Sequence, residues 1–164
     1  MEKDEERFLF LLDTAKAFDS LDHSYILHVL NHVHFPSWFC RFIKSCLSHV
    51  SVSPFFGHST KIWIDIERGV KQGCPLSPLL FIIAYDPLLF FLKGCHGLSC
   101  YAFADDIAIS AFSILDIYPA LPLIDSFSHV SGLGIHKEKS FVLTTAPPHL
   151  SRPLQISAFV LPVA

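Results

Sequence analysis

Charge is scarce in this chain. Asp, Glu, Lys and Arg make up only 16% of its 164 residues, against 51% hydrophobic. The twelve Lys and Arg are scattered and the net charge is −3, so no basic stripe announces a polyanionic partner. The ten His add positive charge only below about pH 6.5. A surface this poor in charge suggests a piece of a larger assembly, or a face covered by a partner, more than a free monomer. The five Cys (40, 46, 74, 95 and 100) form an odd set without a Cys-x-x-Cys pair. That argues against a disulfide frame or a zinc site and leaves reduced core thiols. No signal peptide opens the chain, because residues 1–7 are charged and largely acidic. The longest apolar run, Leu79–Leu92, is interrupted by Asp86-Pro87 and is too short for a bilayer. The expectation is a soluble intracellular protein, nuclear or cytoplasmic, with no membrane partner and no internal repeats.

What is present is one domain's worth of core, expected over residues 1–145. Phe8–Leu12 is a continuous apolar run ending at Asp13, read as a central strand buried on both faces. After a turn at Thr14–Asp19, Asp22 can cap a helix with Ile26, Val29, Leu30 and Val33 at helical spacing. His28 and His32 lie four apart on its other face, and without further ligands nearby they read as solvated. Beyond Pro36, Ser37 can cap a second helix whose apolar face would be Phe39, Phe42, Ile43, Cys46 and Leu47. Val50–Ile66 reads as a hairpin turning near Gly57–Thr60. A loop shaped by glycine and proline, Arg68–Pro78, then opens a helix to about Leu92, with Ser77-Pro78 as N-cap and first position. This helix is apolar almost all round and expected to be buried. In Ser113–Ser131, Pro119 and Pro122 confine a regular helix to the second half. Phe141–Thr144 is a last strand, and the Pro-rich tail 146–164 is expected to be irregular.

The stretch around which these elements gather is Tyr101-Ala102-Phe103-Ala104-Asp105-Asp106-Ile107-Ala108-Ile109. Its apolar flanks read as two short buried strands with the carboxylate pair at their turn. Two Asp side chains about 4 Å apart repel by roughly 4 kcal/mol at an effective dielectric near 20. Exposure to water relieves that, and a hard cation relieves it better. Asp13 poses the same question, since a carboxylate ending an apolar strand is costly unless it caps, faces a cleft or holds a metal. If its strand neighbours the Asp-Asp hairpin, Asp13 and Asp105 converge at one sheet edge. Three carboxylates there can hold two divalent cations, an arrangement that drives nucleotidyl transfer.

Four blocks carry a resemblance. They are Asp13-Thr-Ala-Lys-Ala-Phe-Asp19, Arg68-Gly-Val-Lys-Gln-Gly-Cys-Pro-Leu-Ser-Pro-Leu-Leu-Phe81, Phe103-Ala-Asp-Asp106 and the Gly132–Ser140 stretch. Their order resembles that of reverse transcriptases, RNA-directed DNA polymerases, of the non-LTR retrotransposon (LINE-like) type, over about residues 8–145. The resemblance implies an α+β right-hand polymerase palm, a small antiparallel sheet backed by helices. Fingers would be incomplete and the thumb absent, these lying elsewhere in a longer polyprotein. By the same resemblance Asp13 and Asp105 bridge two Mg²⁺ (Mn²⁺ as substitute), and Asp106 is a third carboxylate with a smaller role. Phe18 matches the aromatic gate against a 2′-hydroxyl, and Gln72 and Gly73 the loop along nucleotide and template. Lys139 matches a proton donor near the pyrophosphate. Implied partners are an RNA template, a DNA primer and dNTPs. Phe103 stands where many relatives have Tyr, and His136 where Asn is usual. The rival expectations are a non-catalytic palm-derived scaffold and, more remotely, an unrelated metal-dependent phosphotransferase.

Overall fold

The first strand, β1 (Phe8–Asp13), lies inside a four-stranded antiparallel sheet with β4 (Leu98–Phe103), β5 (Asp106–Ala111) and β6 (Phe141–Thr144), in the order β4-β5-β1-β6. This is a computed structural model that describes residues 7–48, 50–53 and 63–145, together with the backbone of 154–156 and 159–161. The helices in chain order are α1 (Ala17–Ser20), α2 (His23–His32), α3 (Ser37–Leu47), α4 (Leu76–Lys93) and α5 (Ala120–Ser131). A short 3₁₀ turn, Ile114–Ile117, is fixed by a capping box between Ser113 and Asp116.

Period-two alternation divides the sheet into two unlike faces. Phe10, Leu12, Ile107, Ile109 and Val142 point into a core completed by Leu80, Phe81, Ala84, Tyr85 and Leu88 of α4 and by Ile124 and Phe127 of α5. Burying each large apolar side chain contributes roughly 1.5–3 kcal/mol. The other face, with Leu9, Leu11, Ala108 and Phe141, is only partly covered. The expectation that β1 is buried on both faces is therefore corrected: one face is core and the other is the floor of a cleft. The hairpin strands are likewise not both buried. β4 is an edge strand whose Tyr101 and Phe103 are exposed.

α4 starts earlier than the spacing suggested. Pro75 occupies the N-cap, while Ser77 is buried and its hydroxyl donates to the Lys71 carbonyl at 2.7 Å. Nor is α4 buried all round. Ile82, Phe90 and Phe91 stand exposed opposite the core stripe, as the low charge of the surface foreshadowed. Its 18 residues and mean hydropathy of 1.6 match a membrane span by length and composition, yet its buried stripe packs into the core as that of a core helix does. On α3 the buried positions are Cys40 and Ile43, with Phe42 and Cys46 exposed, and Pro36 rather than Ser37 is the N-cap. Asp22 does cap α2, accepting from the Tyr25 N–H at 3.0 Å. Strands β2 (Ser51–Val52) and β3 (Ile64–Asp65) pair as anticipated, and their turn near 57–60 lies outside the described residues. The tail contains one short antiparallel pair, β7 (Leu154–Ile156) with β8 (Phe159–Leu161), where no regular structure was expected.

Candidate active site

Asp13 and Asp106 are direct cross-strand partners on β1 and β5, so both carboxylates belong to the cleft face of the sheet. Phe103 is paired with Asp106 on the other side, which makes a row Phe103–Asp106–Asp13 across three strands at the sheet's rim. Behind it runs a second row, Tyr101, Ala108, Leu11 and Phe141. These residues, with Lys139, line an open cleft of about 510 Å³. The Lys139 ammonium lies 3.8 Å from an Asp13 carboxylate oxygen. Asp105 sits in the two-residue turn with Ala104. Thus the adjacency of β1 and the hairpin holds, but the residue facing Asp13 in the ladder is Asp106, with Asp105 one position further along.

The turn is conformationally costly. Ala104 has φ +53, a value that costs a residue with a Cβ roughly 1–2 kcal/mol. Lys16, in the turn after Asp13, has φ +48. Two of the three non-glycine residues with positive φ among those described therefore flank the carboxylates, as strained backbone does at working sites.

Three hydroxyls that the sequence reading passed over hold this arrangement. Thr14, buried beside Asp13, donates to the Asp105 carbonyl at 2.8 Å and lies 2.7 Å from the Tyr85 hydroxyl of α4. Ser140, also buried, accepts from the Asp13 N–H at 3.0 Å and donates to the His136 carbonyl at 2.8 Å. The His136 N–H in turn donates to the Asp13 carbonyl at 2.7 Å. The available signals were faint: the one Tyr of a largely apolar helix, and a Ser next to an apolar strand. Burial pushes the Tyr85 phenol up to about 12.

Phe18, Gln72 and Gly73 are brought together at a second concavity of about 490 Å³, shared with Cys74, Pro75, Ser77 and Pro78. The Phe18 ring stacks on Phe81, with centroids 5.0 Å apart, and the Gln72 amide donates to Asp19 at 3.2 Å. The loop is pinned to this turn by Val70 N–H to Phe18 C=O at 2.6 Å and Gly69 N–H to Leu21 C=O at 2.8 Å. Gly69 must lack a side chain, since a Cβ there would lie 2.8 Å from the Asp19 carbonyl oxygen. Gly73 differs: it has φ +79 but open space around it. The Leu76 N–H at the start of α4 lowers the pKa of the neighbouring Cys74 thiol.

The donor set offered at the rim is all carboxylate oxygen, which suits Mg²⁺ or Mn²⁺ and not a thiophilic metal. Two of the three carboxylates share a face and a ladder position, and the third adjoins them, so the chemistry of the set fits a hard cation. Among the described residues no three His, Cys, Asp or Glu side chains are drawn together tightly enough to form a ligand cluster. His28 and His32 stack with centroids 6.4 Å apart and are not part of any such group.

The family model described as reverse transcriptase (RNA-dependent DNA polymerase) matches residues 1–154. The chain is 30% identical over 163 residues to the retrovirus-related Pol polyprotein from type-1 retrotransposable element R2 of Nasonia vitripennis, covering 91% of this chain and 15% of that protein. It is 32% identical over 140 residues to the Pol polyprotein from type-2 retrotransposable element R2DM of Drosophila melanogaster, covering 80% and 13%. It therefore spans only a small part of the length of these relatives. Among solved structures, apo telomerase from Candida tropicalis truncated from its C-terminal domain superposes with TM-score 0.66 at 15% identity, over 87% of this chain and 32% of that one. That likeness shows the polymerase fold. The carboxylate row on an antiparallel sheet, the family match over most of the chain and the R2 relatives lead to one conclusion: the chain belongs to the reverse transcriptase family, within its non-LTR retroelement branch.

Proposed function

We propose that this chain is the catalytic palm of a retroelement polymerase, adding deoxynucleotides to a DNA primer along an RNA template. The observation that carries this reading is the row Phe103–Asp106–Asp13 at the rim of the cleft face. In it Asp13, Asp105 and Asp106 would hold the Mg²⁺ or Mn²⁺ ions. Such ions, when bound, supply the positive charge that activates a 3′-hydroxyl and steadies a leaving pyrophosphate.

The chain's own residues do the rest. The apolar row behind the carboxylates gives the primer end a dry floor. Phe18, held in place by Phe81, narrows the nucleotide side so that a 2′-hydroxyl is disfavoured. The Gln72–Gly73 loop lies along the incoming nucleotide, where the open space around Gly73 lets a ligand approach the backbone. Lys139, beside Asp13, keeps an ammonium proton at the cleft for the departing phosphate. With a net charge of −3 and dispersed Lys and Arg, the isolated chain grips a template–primer duplex weakly, because phosphate contacts dominate such affinity.

A second reading, a palm retained as a non-catalytic scaffold, is favoured by the lack of a gathered three-ligand cluster among the described residues. Titrating Mn²⁺ into wild type, Asp13→Asn and Asp105→Asn separates the two. Carboxylate-dependent binding, with feeble Mg²⁺-dependent primer extension lost in both variants, supports the polymerase. Binding that neither substitution alters supports the scaffold.

A further inference from the structure

We propose that Thr14 and Tyr85 are positioning residues: a two-hydroxyl strut running from α4 through the end of β1 to the turn that carries Asp105. The inference rests on the reading of Asp13, Asp105 and Asp106 as a cation site and adds what holds them in register.

The direction of the hydrogen bonds follows from proton counting. Thr14 has one hydroxyl proton and it is spent on the Asp105 carbonyl at 2.8 Å. The 2.7 Å contact with Tyr85 is then a bond in which the phenol donates and Thr14 accepts. Both residues are nearly sealed from solvent, at 4% and 3% exposure, so the strut does not compete with water. The high pKa of the buried phenol (about 12) keeps it protonated, and so a donor, at neutral pH.

The turn needs such a support. It has only two residues, one of which, Ala104, holds a positive φ that L side chains disfavour. The strand leading into it, β4, is a sheet edge, and Phe103 next to the turn is 86% exposed. Fixing the Asp105 carbonyl fixes the plane of the Asp105–Asp106 peptide, and with it the directions in which both carboxylates leave the backbone. Because the donor is the residue that follows Asp13, one bond ties all three acids to a common frame. Metal sites are generally oriented by outer hydrogen bonds of this kind, and losing one typically weakens affinity 10- to 100-fold.

The test uses the whole 164-residue chain as wild type, Thr14→Ser, Thr14→Val, Tyr85→Phe and Asp105→Asn. Two quantities are read: Mn²⁺ affinity by electron paramagnetic resonance, and amide hydrogen exchange of the 103–107 segment without metal. We expect Thr14→Val to weaken Mn²⁺ at least about tenfold and to speed exchange in 103–107 while the α4 amides keep their protection. Thr14→Ser should restore both. Tyr85→Phe, which removes one oxygen from the core, should act in the same direction and serves if Thr14→Val fails to fold. Wild-type Mn²⁺ affinity in Thr14→Val beside a loss in Asp105→Asn would overturn the strut while leaving the cation site standing. If Asp105→Asn binds like wild type, the cation reading itself fails. Exchange then decides alone, and unchanged protection of 103–107 in Thr14→Val overturns the strut.

Discussion

Replacing Gly132 by alanine probes the joint between α5 and the turn that carries Phe18. Gly132 ends α5 in the left-handed conformation, φ +79, and its N–H closes the helix on the Ser128 carbonyl at 3.0 Å. A Cβ at this position would lie 2.3 Å from the Ser20 carbonyl oxygen, at the end of the turn that carries Phe18. The left-handed backbone alone costs alanine roughly 1–2 kcal/mol. The overlap must also be relieved by parting the two segments. That strains the Asp22 N–H to Ser131 C=O bond and the Ala15 N–H to Gly134 C=O bond, both 2.8 Å, each contributing about 1 kcal/mol. The expected loss is about 2–4 kcal/mol, a fall in Tm of about 4–16 °C for a chain of this size. Gly73→Ala is the control, because it has the same φ of +79 and nothing within 4 Å of its Cβ, so it should lose only the backbone part. Thermal unfolding of both variants, followed by circular dichroism, measures the difference. If Gly132→Ala melts together with Gly73→Ala, the close approach of α5 to the Ser20 turn is wrong.

Alkaline pH should destabilise the fold through its buried phenols. The Tyr85 pKa is raised by burial from 10.0 to about 12, so its contribution is complete below pH 10 and is lost as pH rises toward 12, where the unfolded phenol ionises first. Two pKa units correspond to roughly 3 kcal/mol; Tyr25, raised in the same direction by burial, adds a smaller share. Urea unfolding between pH 9 and 11.5 should show the decline, shallower in Tyr85→Phe, and a flat profile would contradict the burial. Lys139→Ala should change stability by less than about 1 kcal/mol, because its ammonium is well exposed where it meets Asp13. A larger loss by urea titration would mean that the pair is a structural tie.

How far the chain could be read without coordinates varied with the range of the forces involved. The strand ending at Asp13, the Asp22 cap and the Asp-Asp hairpin are local matters of periodicity, caps and turn chemistry. Each appears where its residues indicate. The order of the four motif blocks likewise carried the family, because it is a property of the sequence itself. Burial was less legible. An apolar run such as Phe8–Leu12 or Leu79–Leu92 states that its residues can be buried, not how many neighbours arrive to bury them. Hence β1 came out with one half-open face, and Phe90 and Phe91 stand in the open.

The sequence by itself determined which groups the rim offers: three carboxylates at the ends of apolar strands, an all-oxygen donor set of the kind hard cations prefer. Tertiary structure alone decided which acid meets which. Register across a sheet depends on pairing distant strands, and a slip of one residue moves a side chain to the other face. That choice made Asp106, not Asp105, the partner of Asp13. It also brought Thr14, Tyr85 and Ser140, up to 127 positions apart in their bonds, to bear on the carboxylates, because a hydrogen bond acts only over its own few ångströms, whatever separates its partners along the chain.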